Sequence, residues 1–230
     1  MMSKGLQAFV SESNKKNRKE YKVFNSIDMF IKDKLPQNID IKYVISKVEE
    51  KVPSHVVEGI DCFYVGLFKE FERRNINAMY KDGSVYITSE QDDNDDMVDD
   101  IIHEIAHAAE DIYAQQIYSD NRIQREFLGK RTRLRDTLAQ YELVPLERYA
   151  DFQQIEYLKE FDDYLYNEIG EERLVHFCDG LFVRPYASTG IREYFATAFE
   201  EFLLGEPHYL RTLSPVAYEK VIMVCNIDEV

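Results

Sequence analysis

The clearest pattern of apolar and polar positions lies near the middle of the chain, in the segment MVDDIIHEIAHAAEDIYAQQI. Its apolar residues recur every three or four positions, which is the spacing that brings side chains to one face of an α-helix. The stripe is wide enough to predict a largely buried helix, and it consists of Val98, Ile101, Ile102, Ile105, Ala108, Ala109 and Ile112.

Two earlier segments show the same helical spacing. In residues 21–35 the apolar positions are Val23, Phe24, Ile27, Phe30 and Ile31, and Pro36 ends the segment. In residues 41–51 they are Val44, Ile45 and Val48. The pattern therefore predicts two helices before the central one. The polar stretch 1–20 is predicted to be a disordered tail or a short helix.

Between residues 59 and 90 the pattern becomes that of β-strands. Residues 59–68 form a compact apolar run that predicts a buried strand, and residues 68–74 predict a turn or short helix. Residues 77–90 alternate around Asp82-Gly83, a dipeptide typical of a two-residue hairpin turn. We therefore expect a small sheet immediately before the central helix. An edge of such a sheet can pair with an extended peptide.

The second half of the chain is predicted to be helical. Residues 146–170 have the pattern of one or two amphipathic helices that end near Gly170. Residues 184–205 predict a further helix, with Ser188 or Thr189 as its N-cap and Gly205 at its end. No repeat or linker interrupts the chain, so we expect a single helix-rich α+β domain over residues 1–230, with 114–183 as a helical insertion between the two motif helices.

The composition and net charge limit the kinds of binding partner and the cellular compartment that we expect for the chain. The chain has 230 residues and a net charge of −15, which disfavours an anionic membrane or a nucleic-acid backbone as partner and is compatible with a basic substrate. Its three cysteines form no C-x-x-C pair, which indicates a reducing compartment. The chain shows neither a signal peptide nor a transmembrane run, so we expect a cytoplasmic protein.

The central helix carries the strongest chemical motif, HEIAH, from His103 to His107. Four residues apart on a helix, both imidazoles leave the same face and can share one metal ion. Glu104 points about 100° away around the helix axis, where it can reach a water on that ion. Zinc suits the pair because imidazole is a good ligand for it. The alternative interpretation is a surface helix with two solvated histidines.

Seven carboxylates precede this helix between residues 90 and 100. A calcium loop is one interpretation, but Met97 stands where that loop requires glycine and His103 where it requires glutamate. We favour a capped helix start, since acidic residues are stabilised at a helix N-terminus.

A catalytic zinc site needs a third protein ligand, and Glu193 is the candidate we favour. It lies on the predicted helix 184–205 beside small residues that would let this helix approach the first. Glu110 and Asp111 are alternatives, but a third ligand from the same straight helix fits tetrahedral geometry poorly. We expect one of these two to orient an imidazole instead.

HEIAH, followed by YASTGIREYFATAF with Tyr186 seven residues before Glu193, resembles the catalytic domain of the anthrax lethal factor and related Pro-Pro endopeptidases. The resemblance covers residues 40–113 and 184–205. It implies a zincin-like fold in which His103, His107 and Glu193 bind Zn²⁺. Glu104 would be the general base and Tyr186 the oxyanion donor. Thr197 stands where relatives often carry a glutamate.

The expected function is therefore that of a zinc-dependent endopeptidase, which hydrolyses a protein or peptide substrate with a metal-bound water that Glu104 activates. The alternative from another class is a catalytically silent zincin-fold protein that binds a partner through its basic segment 122–135. Intact Glu104 and Tyr186 favour the enzyme, because binding alone requires neither.

Overall fold

The computed structural model describes residues 19–74 and 76–226, so the predicted tail lies outside the described residues except for its last two positions. Helices and one sheet make up the described chain, which confirms the α+β class. The chain divides into two compact units, Met1–Ile112 and Tyr113–Val230. The expectation of a single domain stays a prediction.

The first unit contains the sheet predicted before the central helix. Its strands are β1 (Lys19–Val23), β2 (Ile27–Ile31), β3 (Cys62–Gly66), β4 (Ala78–Lys81) and β5 (Ser84–Thr88). Their order is β1-β2-β3-β5-β4: β2, β3 and β5 are parallel, whereas β1 and β4 are antiparallel to their neighbours. Within the described part of the chain, β4 is therefore an edge strand.

The prediction of a helix over residues 21–35 was wrong, because this segment forms the β1–β2 hairpin. Phe24 and Asn25 adopt positive φ angles of 51° and 58° and make the tight turn. Burial alternates along β2, whose residues Ile27, Met29 and Ile31 face the core. The apolar residues of this segment are so frequent that they fit the period of a helix as well as that of a strand, and the turn contains no glycine to mark it.

The first unit contains the helices α1 (Ile41–Lys51) and α2 (Lys69–Arg74) and most of the central helix α3 (Asn94–Tyr118), which is kinked at Tyr113, where the second unit begins. They confirm the predicted helix over 41–51 and the central helix. A carboxylate oxygen of Asp93 accepts hydrogen bonds from the main-chain N–H groups of Asp95 and Asp96, 2.8 and 3.0 Å away. The acidic stretch therefore contains a capped helix start, the interpretation we favoured over a calcium loop.

Helices and the loops between them make up the described residues of the second unit. Its helices are α4 (Arg122–Gln140), α5 (Lys159–Asp163), a π-helix (Tyr164–Gly170), α6 (Glu171–Cys178), α7 (Ile191–Leu204), α8 (Pro207–Leu213) and α9 (Pro215–Cys225). The amphipathic pattern over 146–170 was only partly right, because its first part forms short 3₁₀ turns, Leu146–Arg148 and Asp151–Gln153. Gly170, with φ of 93°, joins the π-helix to α6.

The basic segment 122–135 forms most of α4, and two of its cations are buried. Lys130 donates to the carbonyl oxygens of Leu181 and Leu213 and to the Ser214 hydroxyl, at 2.5, 2.8 and 3.0 Å. The guanidinium of Arg131, 1% exposed, lies 4.2 Å from the ring centre of Phe161. These two cations hold the second unit together, so neither is available to a partner.

A search of the described helices for a segment that is both long and apolar enough to cross a bilayer found none.

Candidate metal centre

Helix α3 presents His103 and His107 one above the other, as their four-residue spacing predicts. The two imidazole rings lie 5.0 Å apart between centroids and are nearly perpendicular, at 80°. Both side chains are half-buried, and the residues between them, Ile105 and Ala106, are fully buried. The apolar stripe thus anchors the helix while leaving the histidine face accessible.

Glu110 supports one of these imidazoles. Its Oε2 lies 2.8 Å from Nδ1 of His107, and its carboxylate is 2% exposed. A carboxylate at Nδ1 favours the tautomer that carries the proton there, which leaves Nε2 with a lone pair for a metal ion. Of the two carboxylates that we considered for orienting an imidazole, Glu110 occupies that position. Asp111 is exposed and lies beside the Tyr80 hydroxyl.

Glu104 occupies a buried position on the same helix, with 8% of its surface exposed. Its Oε2 accepts a hydrogen bond from the main-chain N–H of Tyr80 on the edge strand β4. Burial, followed by the nearby Asp111 carboxylate, raises the pKa of the Tyr80 phenol. Sequence reasoning missed Tyr80 because the contact uses its main chain.

Helix α7 carries Glu193 in its first turn. The helix ends before Gly205 as predicted, but its N-cap is Gly190. The predicted caps, Ser188 and Thr189, instead stabilise the preceding 3₁₀ turn, Pro185–Ser188, because their hydroxyls donate to the carbonyl oxygens of Pro185 and Tyr186. Hydroxyl side chains before a helix can serve either turn, and their spacing alone does not distinguish the two.

The three predicted metal ligands form one group. A ligand atom from each of His103, His107 and Glu193 lies within 4.8 Å of the other two. Tetrahedral zinc, with bonds of about 2.0–2.2 Å, requires ligand atoms about 3.4 Å apart, so small side-chain rotations suffice. Two imidazoles and one carboxylate are also a donor set typical of catalytic zinc. The residues present therefore fit a zinc ion.

Tyr186, the predicted oxyanion donor, lies half-buried in the 3₁₀ turn just before α7. An ion pair ties this turn to the helix, since the guanidinium of Arg184 donates to the carboxylate of Glu200, which is 2% exposed. Glu200 lies two turns beyond Glu193 on α7, and Arg184 lies two residues before Tyr186. The ion pair thus restrains the backbone that carries both predicted residues.

Thr197 lies one turn beyond Glu193 and is fully buried. Among the described residues its hydroxyl has no hydrogen-bond partner. This is the position at which the lethal-factor-like pattern often has a glutamate. A threonine side chain is shorter than that of glutamate and carries no charge, so it cannot replace a carboxylate there.

Comparisons with protein-family models, with curated proteins and with solved structures found no match for this chain.

Proposed function

We propose that the chain is a zinc-dependent endopeptidase with a zincin-like arrangement. The observation that carries the proposal is that ligand atoms of His103, His107 and Glu193 lie within 4.8 Å of one another. The helix that carries both histidines, α3, also carries the buried carboxylate of Glu104. A site that only bound zinc would have no use for a second carboxylate, beyond the candidate ligand Glu193, held beside the metal face.

In this proposal each residue has a defined task. His103 and His107 hold the ion through ring nitrogens, and Glu110 fixes the His107 ring. The bound ion would act as a Lewis acid on the scissile carbonyl and lower the pKa of water. Glu104 accepts the proton of the attacking water and returns it to the leaving amine. Tyr186 donates a hydrogen bond to the developing oxyanion.

The edge strand β4 supports a peptide as the substrate class. Because a two-residue turn joins β4 to β5, Lys81 pairs with Ser84 and the main-chain polar groups of Tyr80 point away from β5. An edge strand can pair with an extended peptide through main-chain hydrogen bonds. The Tyr80 N–H donates to Glu104, which brings the general base to this edge.

The alternative, a silent interaction protein that uses segment 122–135, loses part of its support. Lys130 and Arg131 are buried in the second unit, and Arg122 and Arg135 pair with carboxylates of the chain itself, Glu219 and Asp136.

The decisive experiment compares the wild type with Glu104→Gln on a broad peptide library, with and without a chelator. We expect the variant to retain its zinc and its thermal midpoint while hydrolysis falls by orders of magnitude, because the amide cannot accept the water proton. Glu201→Gln, which makes the same change at a half-buried glutamate near the end of α7, is the matched control. Equal cleavage by Glu104→Gln and the wild type would overturn the proposal.

A further inference from the structure

The hairpin that joins β4 to β5 determines which main-chain groups face outward. Asp82 and Gly83 have φ angles of 49° and 77°, which are typical of a two-residue type I′ turn. Lys81 and Ser84 are therefore the first hydrogen-bonded pair, and the next pair, Tyr80 and Val85, is a non-hydrogen-bonded one. The N–H of Tyr80 consequently points away from the sheet.

This outward N–H meets the Glu104 carboxylate of α3. A glutamate side chain has three rotatable bonds, and holding it in one orientation costs up to about 2 kcal/mol of conformational entropy. A hydrogen bond from an N–H to a buried carboxylate is charge-assisted and about as strong as that cost. The contact can therefore keep the carboxylate in place before any substrate arrives.

We infer that the main-chain N–H of Tyr80 positions the Glu104 carboxylate for proton transfer, so that strand β4 carries a positioning group of the site. The proton-transfer role of Glu104 in this inference rests on the proposed function. The hydrogen bond from Tyr80 to Glu104 is independent of that function. The side chain of Tyr80 is not required for it. The two-residue length of the turn is required, because a shift of the β4–β5 pairing by one residue would direct this N–H toward β5.

The contact is tested first by amide hydrogen exchange of Tyr80, measured by NMR. We expect exchange in the wild type to be at least roughly 10-fold slower than in Glu104→Ala, because the carboxylate protects the N–H. Glu104→Asp keeps the charge but shortens the side chain by one methylene, so it should exchange as fast as Glu104→Ala. Equal exchange rates in the wild type and Glu104→Ala would overturn the inference.

The positioning role is tested with Tyr80→Pro, which removes the N–H, against Tyr80→Ala, which keeps it. Proline is tolerated on an edge strand where the N–H points outward. We expect kcat of Tyr80→Pro to be roughly 10-fold below that of Tyr80→Ala, with KM similar, since one charge-assisted hydrogen bond is lost. Equal kcat values in the two variants would refute the positioning role. Ala78→Pro, which removes the neighbouring outward N–H, separates this effect from peptide pairing, which would raise KM.

A third measurement keeps the inference separate from the peptidase proposal. The NMR order parameter of the Glu104 γ-carbon should fall in Tyr80→Pro and not in Tyr80→Ala, whether or not any peptide is cleaved. Absence of cleavage by the wild type would refute the peptidase, while exchange and side-chain order would still decide the role of Tyr80. An unchanged order parameter in Tyr80→Pro would show that the N–H does not hold the carboxylate.

Discussion

The Nδ1 atom of His107 lies 2.8 Å from Oε2 of Glu110, one helical turn further along α3. Because the carboxylate is almost fully buried, it restrains the ring and favours the tautomer with the proton on Nδ1. Helix α3 thus carries two candidate ligands, His103 and His107, and also the carboxylate that supports His107, because the three residues lie on successive helical turns.

Removal of this support should weaken metal binding without removing a ligand. We expect Glu110→Ala to lower zinc affinity roughly 10- to 100-fold, and Glu110→Gln to lower it less, because an amide oxygen can still accept from Nδ1. Competition with a chromophoric chelator measures the change, and Gln115→Ala, an exposed change on the same helix, is the control. Unchanged affinity in Glu110→Ala would show that the contact does not support the metal site.

Deletion of the third ligand tests the group itself. The purified protein should carry about one zinc per chain, and Glu193→Ala should lose most of it, because removal of a ligand removes a large share of the binding free energy. Metal analysis beside a measurement of the thermal midpoint separates loss of zinc from loss of folding. Full zinc in folded Glu193→Ala would exclude Glu193 as a ligand and direct attention to Asp111.

Tyr186→Phe tests the predicted oxyanion donor, because it keeps the ring and removes only the hydroxyl. We expect kcat to fall roughly 10²-fold or more, while zinc content and thermal midpoint stay nearly unchanged. A residue that only packs would instead lose stability and retain its turnover per folded molecule. That second result would remove Tyr186 from the mechanism.

The buried Lys130 should give stability a pH dependence. Burial lowers the pKa of its ammonium to about 8 from a usual value near 10.5, so between these values the unfolded chain binds the proton and the folded chain does not. The free energy of unfolding of the wild type, relative to Lys130→Met, should therefore rise by about 2 kcal/mol from pH 8 to pH 10. Below pH 8 both states are protonated, so the difference should be flat.

Denaturant titrations at several pH values measure this difference, and groups common to both proteins cancel. Lys159 is the control, because it is exposed and its hydrogen bond with Asp163 raises its pKa. Lys159→Met should show no such rise. A constant difference between the wild type and Lys130→Met over this range would mean that the three acceptors around the ammonium keep it charged.

The elements that were predicted correctly from the sequence are those whose signals lie within a few residues of one another in the chain. The helical period, the acidic cap and the terminal Gly205 each act within a few residues, so α3 and α7 could be assigned from their own segments. The Asp82-Gly83 turn marked the second hairpin in the same way, whereas the three-residue turn of the β1–β2 hairpin, Phe24-Asn25-Ser26, contains no common turn dipeptide.

The contacts that sequence reasoning missed depend on tertiary structure. The bond from Tyr80 to Glu104 uses a main-chain donor, which every residue except proline possesses, so no side-chain pattern indicates it. The burial of Lys130 and Arg131 depends on carbonyl oxygens from segments 20 to 83 residues away. The alternative function assigned this cluster of charges to a partner-binding segment, whereas packing buries two of them.

Glu126 gives the last helix a role in the candidate centre although that helix contributes no residue to it. Its carboxylate accepts from the Tyr194 hydroxyl and from the N–H groups of Val216 and Ala217, at 2.9, 2.9 and 3.0 Å. Tyr194 follows the candidate ligand Glu193 directly on α7. During synthesis these contacts therefore cannot all form until residues 215–217 have left the ribosome, and a chain that stops before Pro215 would leave the Glu126 carboxylate without two of the donors that it shares with Tyr194.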